Sequence, residues 1–317
     1  MPVLSIDSEL GAIIVGVVLL LSIASIIGYV LAQRTQSDKS KAVIDNLNAR
    51  IRAWWFMVLF FGLAVLSGNT GSIILFALIS FLALREFITL TPTSRGDHRT
   101  LFWAFFIITP LHYFLIWIHW YGLFSILIPV YAALVMPIRN ATTGDTKDFL
   151  ARTAKVQWAL MVCVYFVSYA PALLTLKIPG YEGQNAKLLL FLVLVVQMSD
   201  VLQYVWGKLT GKRKIVPQLS PNKTVEGFIG GVLSASLLGG ALCWMTPFNF
   251  WQATLLAFLI CLMGFFGGLV MSGIKRDRNI KDFGTLIQGH GGILDRIDSI
   301  CFSAPLFFHL VRFYFAL

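Results

Sequence analysis

Apolar runs of bilayer-spanning length follow one another along almost the whole of this 317-residue chain. A hydrocarbon core about 30 Å thick is crossed by roughly 20 helical residues. Ten runs meet that requirement, at about 10–32, 53–68, 71–90, 101–118, 121–138, 155–176, 187–206, 226–246, 251–274 and 299–317. Charged residues make up only 13% of the chain, about half of what a soluble domain carries. The pattern predicts an all-α, polytopic transmembrane helical bundle of about ten spans. The stretch 101–138 is too long for one span, and Pro110 and Pro129 are placed to kink two. The polar segment 33–52 has helical potential and reads as an interfacial helix. Residues 1–154 form an N-terminal bundle in this reading, and residues 155–317 a C-terminal region that carries the chemistry.

Charge placement predicts which way the spans run. Asp7 and Glu9 precede the first run with no Lys or Arg, whereas Arg34, Lys39 and Lys41 follow it. That order reads as a retained first span with its N-terminus outside, rather than a cleaved signal. Threading the remaining spans from there puts all but Lys177, Lys187 and Arg312 of the 25 basic residues on the inner side, as the positive-inside rule requires. One miscounted span would invert the later loops and destroy the bias. The net charge of +10 is therefore a membrane signature, and no nucleic-acid partner is inferred from it. Cys163, Cys243, Cys261 and Cys301 stand far apart in apolar runs and read as small core residues. His112, His119 and His309 are isolated and read as packing residues. Arg85-Glu86, at the inner end of the third run, reads as snorkelling to the interface.

Two inner loops differ from the others in gathering acidic, basic, glycine and hydroxyl residues. The loop 272–299 ends on Asp295-Arg296-Ile297-Asp298-Ser299, directly before the last apolar run. Residues three and four apart share a helix face, so Asp295, Asp298 and Ser299 project together. Such oxygen donors suit Mg²⁺, a hard ion usually shared with substrate phosphates. Gly289-His290-Gly291-Gly292 gives the backbone freedom to bring N–H groups to an anion near the helix start, and Lys275, Arg276 and Lys281 add positive charge. A plainer reading has Asp295 as a helix cap and the basic residues as topology signals. In the loop 199–227, Asp200 ends an apolar span, Ser220-Pro221-Asn222 makes a turn, Thr224 opens the next helix, and Lys223 with the neighbouring hydroxyls offers a phosphate site. Capping alone also explains Ser220 and Thr224.

At these two loops the chain resembles the phosphatidate cytidylyltransferase family, also called CDP-diacylglycerol synthase. Ser272, Lys275, Arg276, Lys281, Asp282, Gly284, Gly289, His290, Gly291, Gly292, Asp295, Arg296 and Asp298 fit its long C-terminal signature, with Gln288 in place of a proline. Ser220, Pro221, Lys223, Thr224, Glu226 and Gly227 match a second element, with Asn222 replacing a lysine. Asp200, Tyr204, Gly207 and Gly211 match a third, with Gln203 in place of an alanine. The resemblance is sharp over roughly 199–300 and fades towards the N-terminus, where Arg85-Glu86-Phe87 is what remains of it.

The resemblance implies that a lipid phosphate attacks the α-phosphorus of CTP, giving a CDP-lipid and pyrophosphate with Mg²⁺ as cofactor. It implies metal ligands at Asp295 and Asp298, and catalytic groups at Lys275, Arg276, Lys281, Asp282, His290 and Arg296. Substrate contacts are expected at Asp200, Ser220, Asn222, Lys223, Thr224, Ser272, Gly291 and Gly292. The partners implied are CTP, a lipid phosphate and membrane lipids, with a homodimer as a possible assembly and a bacterial inner membrane or its equivalent as the location. One departure stands out. The family carries an aspartate and a glutamate where this chain has Gly268 and Met271. Fewer metals, a substitute carboxylate such as Asp282 or Asp277, another lipid phosphate, or lost activity each accommodate the change. A CTP-dependent polyprenol or phytol kinase and a non-catalytic lipid-phosphate-binding homologue are the alternative functions. A transporter is disfavoured because the charges gather in loops rather than at mid-bilayer.

Overall fold

Among the described residues, ten long helices stand where the apolar runs lie. The computed structural model describes residues 8–34, 38–287 and 291–317. The helices are α1 (Ser8–Arg34), α2 (Asp38–Leu66), α3 (Gly68–Thr89), α4 (His98–Trp117) and α5 (Tyr121–Ala141). They continue with α6 (Phe149–Thr175), α7 (Asn185–Leu209), α8 (Val225–Ala241), α9 (Phe250–Asp277) and α10 (Leu294–Phe315). All but α8 and α10 are long and apolar enough to cross a membrane. The chain is an integral membrane protein, and α8 and α10 are packed into its bundle. The segment expected to lie along the interface is helical, but from Asp38 it runs straight into the second span as part of α2. The polar residues of 38–52 extend that helix at a helical period, so nothing in the sequence breaks it before the span.

The stretch 101–138 divides into α4 and α5 at His119, whose φ of 61° no helix accommodates. Each of the two contains a wide π-type turn, Ala104–Ile108 in α4 and Leu127–Ala132 in α5. Pro110 follows the first and Pro129 lies within the second. A proline removes a donor from the helical ladder, and a widened turn accommodates the gap.

Chain neighbours pack in sequence. α6 forms the middle of the bundle against α3 and α10, and α7 meets α8, α9 and α10. Where α7 crosses α8 the contact is made by glycines: a Cβ on Gly227 would stand 2.9 Å from the Cα of Gly207, and one on Gly231 would stand 2.4 Å from Gln203 Cγ. Small residues permit such approach in membranes, where water supplies no hydrophobic drive between helices. His112 is buried and bonded to Ser168 at 2.8 Å among aromatic rings, a packing role as expected. At the loop end of the N-terminal half, buried Arg152 joins Asp97 at 3.5 Å and Asp145, and Asn140 bonds Thr100 and Thr153. Hydrogen bonds from Arg152 and Ser94 hold the Asp145 carboxyl below the usual range. These contacts tie the segment before α4 to the turn between α5 and α6.

A Gly231→Val variant should lower the midpoint of thermal unfolding in detergent by several degrees, since overpacking costs about 1–3 kcal/mol. Gly62→Val, where a Cβ meets nothing within 4 Å, should leave the midpoint unchanged.

Candidate active site

The C-terminal ends of α3, α7 and α9 meet the N-terminal ends of α8 and α10. These are the ends that the charge pattern assigns to one side of the membrane. The loop between α7 and α8 is shaped by its own capping. Thr224 has extended backbone, is buried, and accepts from Gly227 N–H at 3.1 Å, as expected for a residue that opens a helix. Its side chain packs against Gly211, where a Cβ would lie 2.7 Å from Thr224 Oγ1. Glu226 Oε2 accepts from the N–H groups of Lys212 and Arg213 at 3.0 and 3.2 Å, folding the loop back over α8. Ser220 turns the chain through main-chain bonds, its N–H donating to Val216 O and its carbonyl accepting from Lys223 N–H. Asn222 is exposed. The Thr224 hydroxyl is thus committed to the cap, and the residue this turn delivers inward is Lys223.

The start of α10 is held by two carboxylates. Asp295 is buried, and its Oδ2 accepts from Phe283 N–H at 2.7 Å and Gly292 N–H at 2.9 Å, while its Oδ1 pairs with Lys275 Nζ at 3.0 Å. Glu86, from the end of α3, accepts from Ile293 N–H and Leu294 N–H at 2.9 Å each. These are first-turn donors that a helix leaves unsatisfied. The glycines are required by this arrangement. A Cβ on Gly292 would stand 2.3 Å from Glu86 Oε2, and one on Gly291, whose φ is +83°, 2.7 Å from Asp295 Oδ2. The glycine turn does bring main-chain N–H groups to an anion, but the anion is the protein's own carboxylate. His290 and Gly289 lie outside the described residues.

Asp295 and Asp298 both feel the charge of Lys275, but their hydrogen bonds go to different partners. Asp295 turns to the loop before α10. Asp298 turns to α7, where Ser299 Oγ stands 3.0 Å from Asp200 Oδ2 and 3.4 Å from Asp298 Oδ1. Neighbouring positions on one helix face still meet different partners when two elements flank that face. The pair that forms is Asp200 with Asp298, bridged by a hydroxyl. Asp200 is exposed and Asp298 half-buried.

Lys223 stands beside this pair. Its ammonium lies 3.5 Å from Phe265 O and 4.5 Å from the Phe265 ring centroid. Burial lowers its pKa, and the charges of Asp200 and Asp298 work in the opposite direction. Arg296 is charge-coupled to the same two carboxylates, with its Nε buried and unbonded. Arg276 is exposed and ties Leu219 O and Ile280 O together, joining the two loops. Lys281 and Asp282 are exposed on the second loop. The Ser272 hydroxyl is bonded back to Gly268 O at 2.7 Å within α9.

The donor set fits a hard divalent cation in part. Asp200, Asp298 and the Ser299 hydroxyl supply oxygen ligands, and no group of three or more His, Cys, Asp or Glu able to hold an ion occurs among the described residues. A magnesium ion commonly uses one or two carboxylates and completes its shell with water and phosphate oxygens. Asp295, with both oxygens engaged, is placed as a clamp on the loop.

Residues 48–314 match the model of the cytidylyltransferase family. The chain belongs to that family. It is therefore a CTP-using transferase. Proteins similar to it include phosphatidate cytidylyltransferases of Staphylococcus saprophyticus (42% identity over 130 residues, 40% of this chain and 50% of that one) and Staphylococcus haemolyticus (42% over 120 residues, 37% and 46%). The match spans about half the length of these enzymes. The chain is also 41% identical over 297 residues, covering 93% of it and 95% of the relative, to the uncharacterized protein YnbB of Escherichia coli strain K12.

Glu86 is the functional residue that sequence reasoning missed. Positive-inside placement accounts for Arg85 but not for a carboxylate beside it, and that was the available signal. Glu86→Ala should destabilise the protein by about 1–3 kcal/mol for each orphaned N–H, measured by thermal unfolding, and should lower turnover with it. Glu86→Gln retains one acceptor oxygen and should lose about half as much stability.

Proposed function

We propose that this cytidylyltransferase-family protein transfers the cytidylyl group of CTP to a lipid phosphate, phosphatidate by preference, giving CDP-diacylglycerol and pyrophosphate. The observation that carries the reading is the Asp200–Ser299–Asp298 group, with Lys223 beside it, at one end of a transmembrane bundle. A nucleotide from water and a headgroup from the bilayer can both reach such a place. The names of the staphylococcal relatives support the acceptor. The basic-residue bias supports a cytoplasmic face and an outside N-terminus.

In this reading an oxygen of the lipid phosphate attacks the α-phosphorus. The new P–O bond forms as the bond to the bridging oxygen breaks, and pyrophosphate departs with that electron pair. The nucleophile is already anionic, so no base is needed to deprotonate it. The difficulty is repulsion between anions, and fixed positive charge answers it. The charges of Lys223 and Arg296 act on the carboxylate pair, and Lys275 and Arg276 in the last turn of α9, with Lys281 beyond it, add to them. Mg²⁺ held by Asp200 and Asp298 would supply charge neutralisation at the phosphates. Asp295 and Glu86 fix the frame on which Asp298 is carried.

Purified protein given CTP labelled at the α-phosphorus, Mg²⁺ and phosphatidate should yield labelled CDP-diacylglycerol with equimolar pyrophosphate. Asp298→Asn should lower the rate by about 10²-fold or more, the scale for losing a preorganised electrostatic group. Formation of CDP and a phosphorylated alcohol would identify a lipid kinase, and absence of turnover with every lipid phosphate would identify a binding protein.

A further inference from the structure

Two adjacent glycines in α9 have different reasons to be glycine. A Cβ on Gly267 would stand 2.8 Å from the carbonyl of Asp298, so its absence lets α9 and α10 touch. A Cβ on Gly268 would meet nothing of that kind. Its neighbours within 4 Å are Lys223 Nζ at 2.9 Å and Ser299 Oγ at 4.0 Å. The space beside Gly268 therefore holds an ammonium group on one side. On the other is the hydroxyl that bridges Asp200 and Asp298. No side chain fits at 268 while Lys223 stays where it is.

We infer that the Lys223 ammonium is a resident cation of the Asp200–Asp298 pair, seated in the room that Gly268 leaves, so that without nucleotide the carboxylates are already neutralised in part and hold a divalent cation weakly until nucleotide phosphates join it. This rests on the reading of the site as a metal-assisted nucleotidyl-transfer centre. It also explains why a glycine is compatible with such a centre. The two carboxylates face Lys223 and the Arg296 guanidinium, so little net negative charge is left to hold a divalent ion tightly without further anionic ligands. The phosphates of CTP supply those ligands, which couples cation uptake to nucleotide binding. Lys223 is suited to the place by its surroundings: the Phe265 ring and carbonyl hold its ammonium from one side, and the bonded turn 216–223 fixes its backbone.

Mn²⁺ binding, followed by electron paramagnetic resonance on full-length protein in nanodiscs of phosphatidylcholine without nucleotide, tests this. Lys223→Met should tighten Mn²⁺ binding by about tenfold or more, since it removes a unit positive charge that repels a divalent ion at the same carboxylates. Lys223→Arg, which keeps the charge, should not tighten it. Gly268→Asp should also tighten it, because the new side chain displaces the ammonium and adds a carboxylate. Asp298→Asn combined with Lys223→Met should abolish the gain. Unchanged or weaker Mn²⁺ binding in a well-folded Lys223→Met protein would overturn the inference, and so would tightening that survives the loss of Asp298. Product analysis of the wild type stands apart: a tightened Lys223→Met protein whose parent makes no CDP-lipid would sink the reaction and leave the cation assignment in place.

Discussion

Four main-chain N–H groups around the start of the last helix, those of Phe283, Gly292, Ile293 and Leu294, donate to just two carboxylates, Asp295 and Glu86. An unpaired buried donor costs about 1–3 kcal/mol, so the two side chains determine where the loop and the helix lie. Once they are set, Asp298 and Ser299 face α7, and Lys275 is fixed as the counter-charge of Asp295. The Asp200–Asp298 pair is in this sense secondary to a structural one. The partition explains how a single short motif carries two aspartates with different duties.

The membrane imposes the rest. Helices in lipid satisfy their backbones internally, so polar side chains gather at helix ends, and catalytic groups have to be assembled there. Glycines at the α7–α8 and α9–α10 crossings bring those ends within reach of one another. The Arg152 cluster performs a comparable task in the N-terminal half, with no side chain in common with the Asp200–Asp298 site. α6, buried between α3 and α10, joins the two halves.

Much of this was legible in the sequence. The apolar runs located the ten long helices of the described residues, eight of them at the length and hydropathy that a bilayer requires. Thr224 was recognisable as a cap, and the two chemistry-bearing loops were recognisable by composition. The pairing of side chains was not. Spacing of three residues places Asp295 and Asp298 on one helix face, yet it says nothing about which neighbour claims each. Asp200 and Asp298 are nearly a hundred positions apart, and Glu86 reaches across more than two hundred to Ile293. Local pattern carries no record of such contacts. The fate of Gly268 was illegible for the same reason, since its occupant comes from a different loop.

Where a divalent ion sits when nucleotide is present decides whether Asp200 and Asp298 form the metal site. A structure determined with Mn²⁺ and a non-hydrolysable CTP analogue, with the ion located by its anomalous signal, answers this directly. The ion is predicted between Asp200 and Asp298 and in contact with phosphate, with Asp295 still bound to Lys275 and Phe283. An ion on Asp295 with those bonds broken, or a nucleotide bound away from Lys223, would contradict it.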